Sequence, residues 1–258
     1  TIVFDVETTK LPNVHPWQKD SYLVAVGLVD EQGHKKTWIF NHEELIEERP
    51  QREMIEEIQT EISQCTRIVG HHLKFDLNWL RFLDVDFSGK HLFCTQVAEY
   101  LLLGQRGMGK LSLQDLSKKY LKIDKIDRVK IMWDAGYETS QIPLSILVPY
   151  LEQDCFNALA IYQRQAKLIS KANMNALVAV QMESIRALSE IETNGMFFDT
   201  KTALEHISTL SGKLETIDQD LVVELGIPDI NLDSAHDLSA ALYGGNLKRE
   251  GEEWVTRT

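Results

Sequence analysis

Two carboxylates stand two residues apart near the end of an apolar, β-favouring run, TIVFDVETT: Asp5 and Glu7. Alternate residues of a strand project to the same face, so this pair would set like charges side by side. Such charges repel and burial opposes ionisation further, so both stay ionised only with a cation between them. Taken alone, a polar strand end facing water accounts for the pair equally well. Other acidic residues occur in suggestive settings. In VGHHLKFDLNWL, Asp76 falls in the first turn of a helix directly after a strand, where function is often carried, although an acid there also suits the helix dipole. In VPYLEQDCFNALAIY, Tyr150 and Asp154 are four apart and share a helix face, as many surface pairs do.

These residues need a frame. The opening run is followed by YLVAVGLVD and KKTWIF, joined by EQGHK, whose Gly33 suits a hairpin turn. Residues 41–64 carry Leu45, Ile46, Met54, Ile55, Ile58 and Ile62 at helical spacing, interrupted near Pro50. TRIVGHH reads as a short buried strand and FDLNWLRFL as a helix; HLFCT and QVAEYLLLG repeat the strand and helix order. A QRGMGK loop follows, then LSLQDLSKKYL as a helix that Ser112 can cap. From Leu144 the chain reads as almost wholly helical, broken at TNGMFFDTK, and INLDSAHDLSAAL is a short helix capped by Asp233 or Ser234. The pattern predicts an α/β domain to about residue 168, a mixed sheet flanked by helices. The last ninety or so residues have no strand set of their own and resemble the beginning of something larger.

With 258 residues and 43% hydrophobic content the chain can form a substantial core. No stretch reaches the roughly 18 apolar residues of a membrane helix, and the start lacks signal-peptide features, so a cytoplasmic protein is expected, by default a monomer. Cys65, Cys94 and Cys155 are widely spaced, which suggests neither a disulfide frame nor a zinc site. A net charge of −12 and a pI near 5.1 argue against a broad basic nucleic-acid surface. They leave open a phosphate contact at which divalent ions invert the local field.

Taken together, FDVETT, GHHLKFD and YLEQD resemble, in order and setting, the three motifs of the DEDD (DnaQ-like) 3′-5′ exonucleases, whose fold is RNase H-like. The resemblance spans roughly residues 1–168. Tyrosine four residues before the last aspartate, with Pro149 where the histidine subgroup carries its histidine, is similar to the tyrosine subgroup. Further on, QMESIRALSEIETNGMFFDTKTAL, with Glu183, Gly195 and Asp199, resembles the segment after the exonuclease domain of family A (DNA polymerase I type) enzymes. INLDSAHDLSAALYGG is similar to the base of the thumb in that family, so residues 169–258 would be an incomplete, mainly helical start of a polymerase domain. Palm and fingers would lie in a longer protein or a companion chain.

The resemblance implies release of nucleoside monophosphates from the 3′ ends of single-stranded DNA, as the proofreading portion of a polymerase. It implies two divalent ions, Mg²⁺ or Mn²⁺, in keeping with the hard oxygen ligands available. Asp5 would bridge them, Glu7 and Asp154 would hold the first, and Asp76 would support the second. Tyr150, with Glu7, would orient the attacking water. On the substrate side, Thr8 would meet the terminal 3′ group and Leu11 would wedge against the terminal base or simply close the core; Lys74 lies near the phosphate path or is a solvated lysine.

Two positions depart from the family pattern. His72 stands where asparagine is usual and would take over its contact to DNA; a metal-binding His71–His72 pair is disfavoured because neighbours on a strand face opposite ways. Cys94 stands where an aspartate commonly precedes the threonine. Two other readings differ in class. One is an RNA-trimming enzyme similar to RNase D, whose helical RNA-binding domain INLDSAHDLSAAL does not resemble. The other is a non-catalytic DNA-binding module, against which the retained carboxylates and Tyr150 speak.

Overall fold

Valine, isoleucine and phenylalanine crowd the first eight residues and build β1 (Ile2–Thr8), which is buried on both faces as only a central strand can be. A computed structural model describes residues 1–46, 49–104, 110–123, 128–228, 230–249 and 252–257, the last stretch and 246–249 by backbone alone. Most of the predicted QRGMGK loop lies outside the described residues. The chain forms two compact units, 1–195 and 196–258.

In the first unit β2 (Leu23–Asp30) and β3 (Lys35–Ile39) continue from β1 as antiparallel neighbours, turning at Gly33. β4 (Arg67–Gly70) and β5 (His91–Cys94) add in parallel on the other side, giving the order β3-β2-β1-β4-β5. The carboxyl ends of β1 and β4 therefore lie together at the centre of the sheet, where open α/β sheets offer a binding crevice. This is the expected mixed sheet flanked by helices.

The helices follow the predicted stripes with local differences. α1 (Gln51–Gln64) buries Met54, Ile58 and Ile62, but residues 41–46 form turns and Ile46 is fully exposed. Pro50 starts the helix and does not merely interrupt it, because proline holds the residue before it out of the helical region. α2 (Leu73–Phe82), α3 (Thr95–Leu102), α6 (Leu144–Lys171) and α7 (Asn175–Asn194) stand where the pattern put helices. LSLQDLSKKYL divides: Ser112 caps α4 (Leu113–Leu116) by accepting from the Asp115 amide, and a π-helical turn occupies Ser117–Leu121. α5 (Arg128–Asp134) and a 3₁₀ turn at Thr139–Gln141 complete the unit.

The second unit holds α8 (Thr200–Leu225), capped by Asp199, and α9 (Ala235–Tyr243), capped by Ser234. Its strands β6 (Gly245–Arg249) and β7 (Glu252–Arg257) pair antiparallel, contrary to the expectation of no strands there. KREGEEW is charged rather than apolar and gave no β signal, although Gly251 between two short runs is a hairpin cue. No helix among the described residues is long and apolar enough to cross a membrane.

The π turn is tied down by a buried carboxylate. Glu99 of α3 is 1% exposed and accepts from Lys119 Nζ, from Tyr120 Oη at 2.7 Å and from Gln165 Nε2 at 2.9 Å. Burial pushes the Glu99 carboxyl up, but these donors outweigh it and hold it below the ordinary 4.5, while burial and Glu99 push the Tyr120 phenol well up. A depressed carboxyl adds stability above the unfolded value that disappears as pH falls through the folded one. Glu99→Gln is therefore expected to lower stability by about 1–3 kcal/mol at neutral pH. In urea titrations the gap between the two proteins should close as the pH drops below the carboxylate range.

Candidate active site

The carboxyl end of β1 is where the predicted residues gather. Asp5 lies directly opposite Gly27 of β2, and directly opposed residues of an antiparallel pair project to the same face. Gly27 has no side chain there. A Cβ at this position would fall 2.6 Å from Leu151 Cγ of α6, closer than packed atoms come. The missing methyl thus lets α6 settle onto the face from which Asp5 and Glu7 project, with Leu151 wholly buried between Tyr150 and Asp154. Just beyond, the β1–β2 register slips between Glu7 and Thr8, an irregularity of the kind that re-aims side chains beside active sites.

Asp76 arrives from the opposite side. β4 ends at Gly70, where a Cβ would press within 2.8 Å of Leu73, and the chain turns through His72 in the left-handed conformation into α2. With β4 ended, the Val6 amide donates to Asp76 Oδ1 at 3.1 Å, placing this carboxyl between Asp5 and Glu7 along β1. Asp76 is 2% exposed, and its Oδ2 has no hydrogen-bond partner among the described residues. Burial, then the charges of Asp5 and Glu7, push its carboxyl well above the usual range, despite the lowering effect of the Val6 amide.

Asp154 joins through its neighbour Cys155. That thiol is fully buried, and burial followed by the charges of Asp5, Asp154, Asp76 and Glu7 pushes it up. One sulfur thus feels all four carboxylates. Tyr150, half-buried one turn earlier, meets the Trp133 ring edge-on with centroids 6.4 Å apart. Tyr150, Asp154 and Asn157 of α6 line a cavity of about 230 Å³ together with Ser112 and Gln114. Among the described residues no three acidic, histidine or cysteine groups close into a tight metal cage. Like charges draw together fully only around the cation that they share.

The remaining candidates fall unevenly. Thr8 is buried beside Glu7, with its hydroxyl donating to the Thr9 carbonyl at 3.2 Å, and Leu11 is half-buried in the loop that follows. His72 is a mostly exposed residue at the entry to α2, its ring stacked on Phe75 at 6.0 Å. His71 and His72 lie beyond the strand, not on it; His71 turns inward to Thr95 Oγ1 at 2.9 Å, and burial lowers its pKa to about 4. Lys74 is engaged by Glu192 of α7. Cys94 is buried, with its backbone amide donating to Met182 Sδ, and burial pushes its thiol up. Sequence reading passed over Gly27, although a glycine inside an apolar strand is a signal of close backbone approach.

A family model described as 3′-5′ exonuclease matches residues 1–170. The DNA polymerase DpoZ of Salmonella phage PMBT28 is 24% identical over 217 residues, covering 78% of this chain and 33% of the phage protein. The chain thus spans about a third of that relative's length. Among solved structures, the POL domain of Pol1 from M. smegmatis in complex with DNA primer-template and dNTP shares the fold at a TM-score of 0.65 and 17% identity, over 87% of this chain and 34% of that one. Brucella melitensis NrnC with bound Mg²⁺ aligns at a TM-score of 0.53 and 14% identity, over 75% of this chain and 85% of that one. With residues 1–170 matched out of 258, the chain belongs to the 3′-5′ exonuclease family of A-type DNA polymerases.

Proposed function

We propose that the chain hydrolyses the terminal phosphodiester of a DNA strand from its 3′ end, releasing nucleoside monophosphates. It acts as the proofreading portion of a family A DNA polymerase, in the cytoplasm of its own cell or, when phage-encoded, of the host. The observation that carries this reading is Asp76: a buried carboxyl with an unpartnered oxygen, set in the field of Asp5 and Glu7. Buried carboxyls so placed supply the hard oxygen ligands that suit a divalent cation such as Mg²⁺ or Mn²⁺. Asp5, Glu7, Asp76 and Asp154 would hold two divalent ions, Mg²⁺ or Mn²⁺. When bound, such ions supply the positive charge that acidifies water and offsets charge on the departing 3′ oxygen.

The chain's own groups do the rest. Tyr150 and Glu7 orient the attacking water toward phosphorus, a positioning role suited to a phenol. Thr8, Leu11 and His72 receive the last nucleotide by backbone contact and stacking, which serve any base. Residues 1–168 form the exonuclease part and 169–258 the base of a thumb, with palm and fingers in a longer protein or a companion chain.

The test is digestion of a 5′-labelled single-stranded DNA oligonucleotide. The expected result is a ladder of products shortened from the 3′ end with Mg²⁺, none with chelator, and slower digestion of the RNA of the same sequence. Undiminished digestion in chelator would overturn the reading, and a preference for RNA would replace it with the RNase D-like one.

A further inference from the structure

Trp133 lies seventeen residues before Tyr150 on a different helix, yet its ring meets the phenol edge-on at 6.4 Å and 79°. Two contacts hold the tryptophan directly, and a third anchors one of its partners. Its indole Nε1 donates to Thr139 Oγ1 at 3.2 Å. Its carbonyl accepts from Lys10 Nζ at 2.5 Å. The Lys10 amide in turn donates to the Glu138 carboxylate at 3.1 Å. Lys10 belongs to the loop that leaves β1 just after Glu7 and Thr8. The segment that carries Trp133 is therefore latched to the same strand end that carries the first carboxylates.

From this geometry we propose that Trp133 is a positioning residue: latched to the end of β1, it fixes the Tyr150 phenol in register with Asp5 and Glu7. The inference rests on the reading that Tyr150 orients the nucleophile. An aromatic edge against the ring of this half-buried residue narrows its excursion about the χ angles. Because Trp133 acts on the hydroxyl through the ring, its loss slows turnover and leaves substrate affinity alone.

The experiment measures kcat and KM on 5′-labelled single-stranded DNA with Mg²⁺, using Trp133→Ala, Trp133→Leu and Trp133→Phe, each with and without Tyr150→Phe. Trp133→Ala and Trp133→Leu should lower kcat about three- to tenfold with KM unchanged, and Trp133→Phe should restore most of the rate. In the Tyr150→Phe background, where the ring remains but the hydroxyl is gone, the same substitutions should have no further effect on kcat. Trp133→Leu keeps an apolar side chain at the site and leaves a smaller void than alanine does, so it reports even if the alanine variant folds poorly. Equal losses in both backgrounds, or unchanged kcat in Trp133→Leu, would overturn the inference. If Tyr150→Phe slows turnover while the tryptophan variants do not, this inference falls and the catalytic reading stands. If Tyr150→Phe is itself without effect, both fall.

Discussion

Asp76→Asn is expected to make the metal-free protein more stable and to abolish nucleotide release. The side chain is 2% exposed, and burial and the neighbouring charges of Asp5 and Glu7 both oppose its ionisation. Asparagine keeps the oxygen that accepts from the Val6 amide and puts an N–H₂ where the unpartnered Oδ2 lies, turned toward acidic neighbours. Relief of this kind at a strained site typically adds about 1–2 kcal/mol, a rise of roughly 2–6 °C in melting temperature for a chain of this size. The pH dependence has a definite sign. The folded chain holds the Asp76 proton more tightly than the unfolded one, so this group's contribution is complete below the ordinary value of 3.8 and is lost as pH rises through the raised one. In chelator the wild-type protein should therefore lose stability relative to Asp76→Asn across that window.

Divalent metal reverses the comparison. A ligand that binds only the folded state at about a hundred times its Kd adds about 2.7 kcal/mol. Mg²⁺ should raise the melting temperature of the wild-type protein and leave Asp76→Asn nearly unmoved. Turnover of the variant should fall by about a hundred- to a thousandfold, the scale seen when one preorganised donor is removed from a site. Asp5→Ala should match that loss of activity. A wild-type melting temperature indifferent to Mg²⁺, or an active Asp76→Asn protein, would show that these carboxylates do not hold a cation.

Such residues were legible because local rules fix where they point. Alternation along one strand aims Asp5 and Glu7 together, a first helical turn places Asp76, and four residues of helix align Tyr150 with Asp154. The mixed sheet also followed, since the leading strands are joined by a hairpin and the later ones alternate with helices, whereas its order was seen only in the structure. What stayed hidden depends on pairs distant in the chain. That Asp76 takes the Val6 amide depends on β4 stopping at Gly70, and that Trp133 reaches Tyr150 depends on a latch from Lys10. The π turn at Ser117–Leu121 reads as ordinary helix because its cause, the buried Glu99, lies in another element. His72 reads as part of a strand because VGHH is continuous, whereas its left-handed backbone marks the turn.

Gly27→Ala is expected to damage stability and activity together, although alanine is intrinsically the better strand residue. That preference is worth about 0.5–1 kcal/mol in alanine's favour. Against it stands a methyl 2.6 Å from Leu151 Cγ and 3.1 and 3.2 Å from its two Cδ atoms. Leu151 is wholly buried and its Cγ lies close to the backbone, so it cannot swing aside. The helix must move instead. Overpacking of this kind costs about 1–3 kcal/mol, so the steric effect wins and the melting temperature should fall by several degrees. The displaced turn carries Tyr150 and Asp154, and a shift of about 1 Å at such a site can lower turnover roughly a hundredfold. Leu151→Ala in the same chain removes the atoms in conflict. The double variant should recover much of the turnover while remaining less stable than wild type, since a truncated core leucine costs about 2–5 kcal/mol wherever it stands. If Gly27→Ala alone melts and turns over as wild type does, the close seating of this helix on β2 is not what brings Asp154 to Asp5.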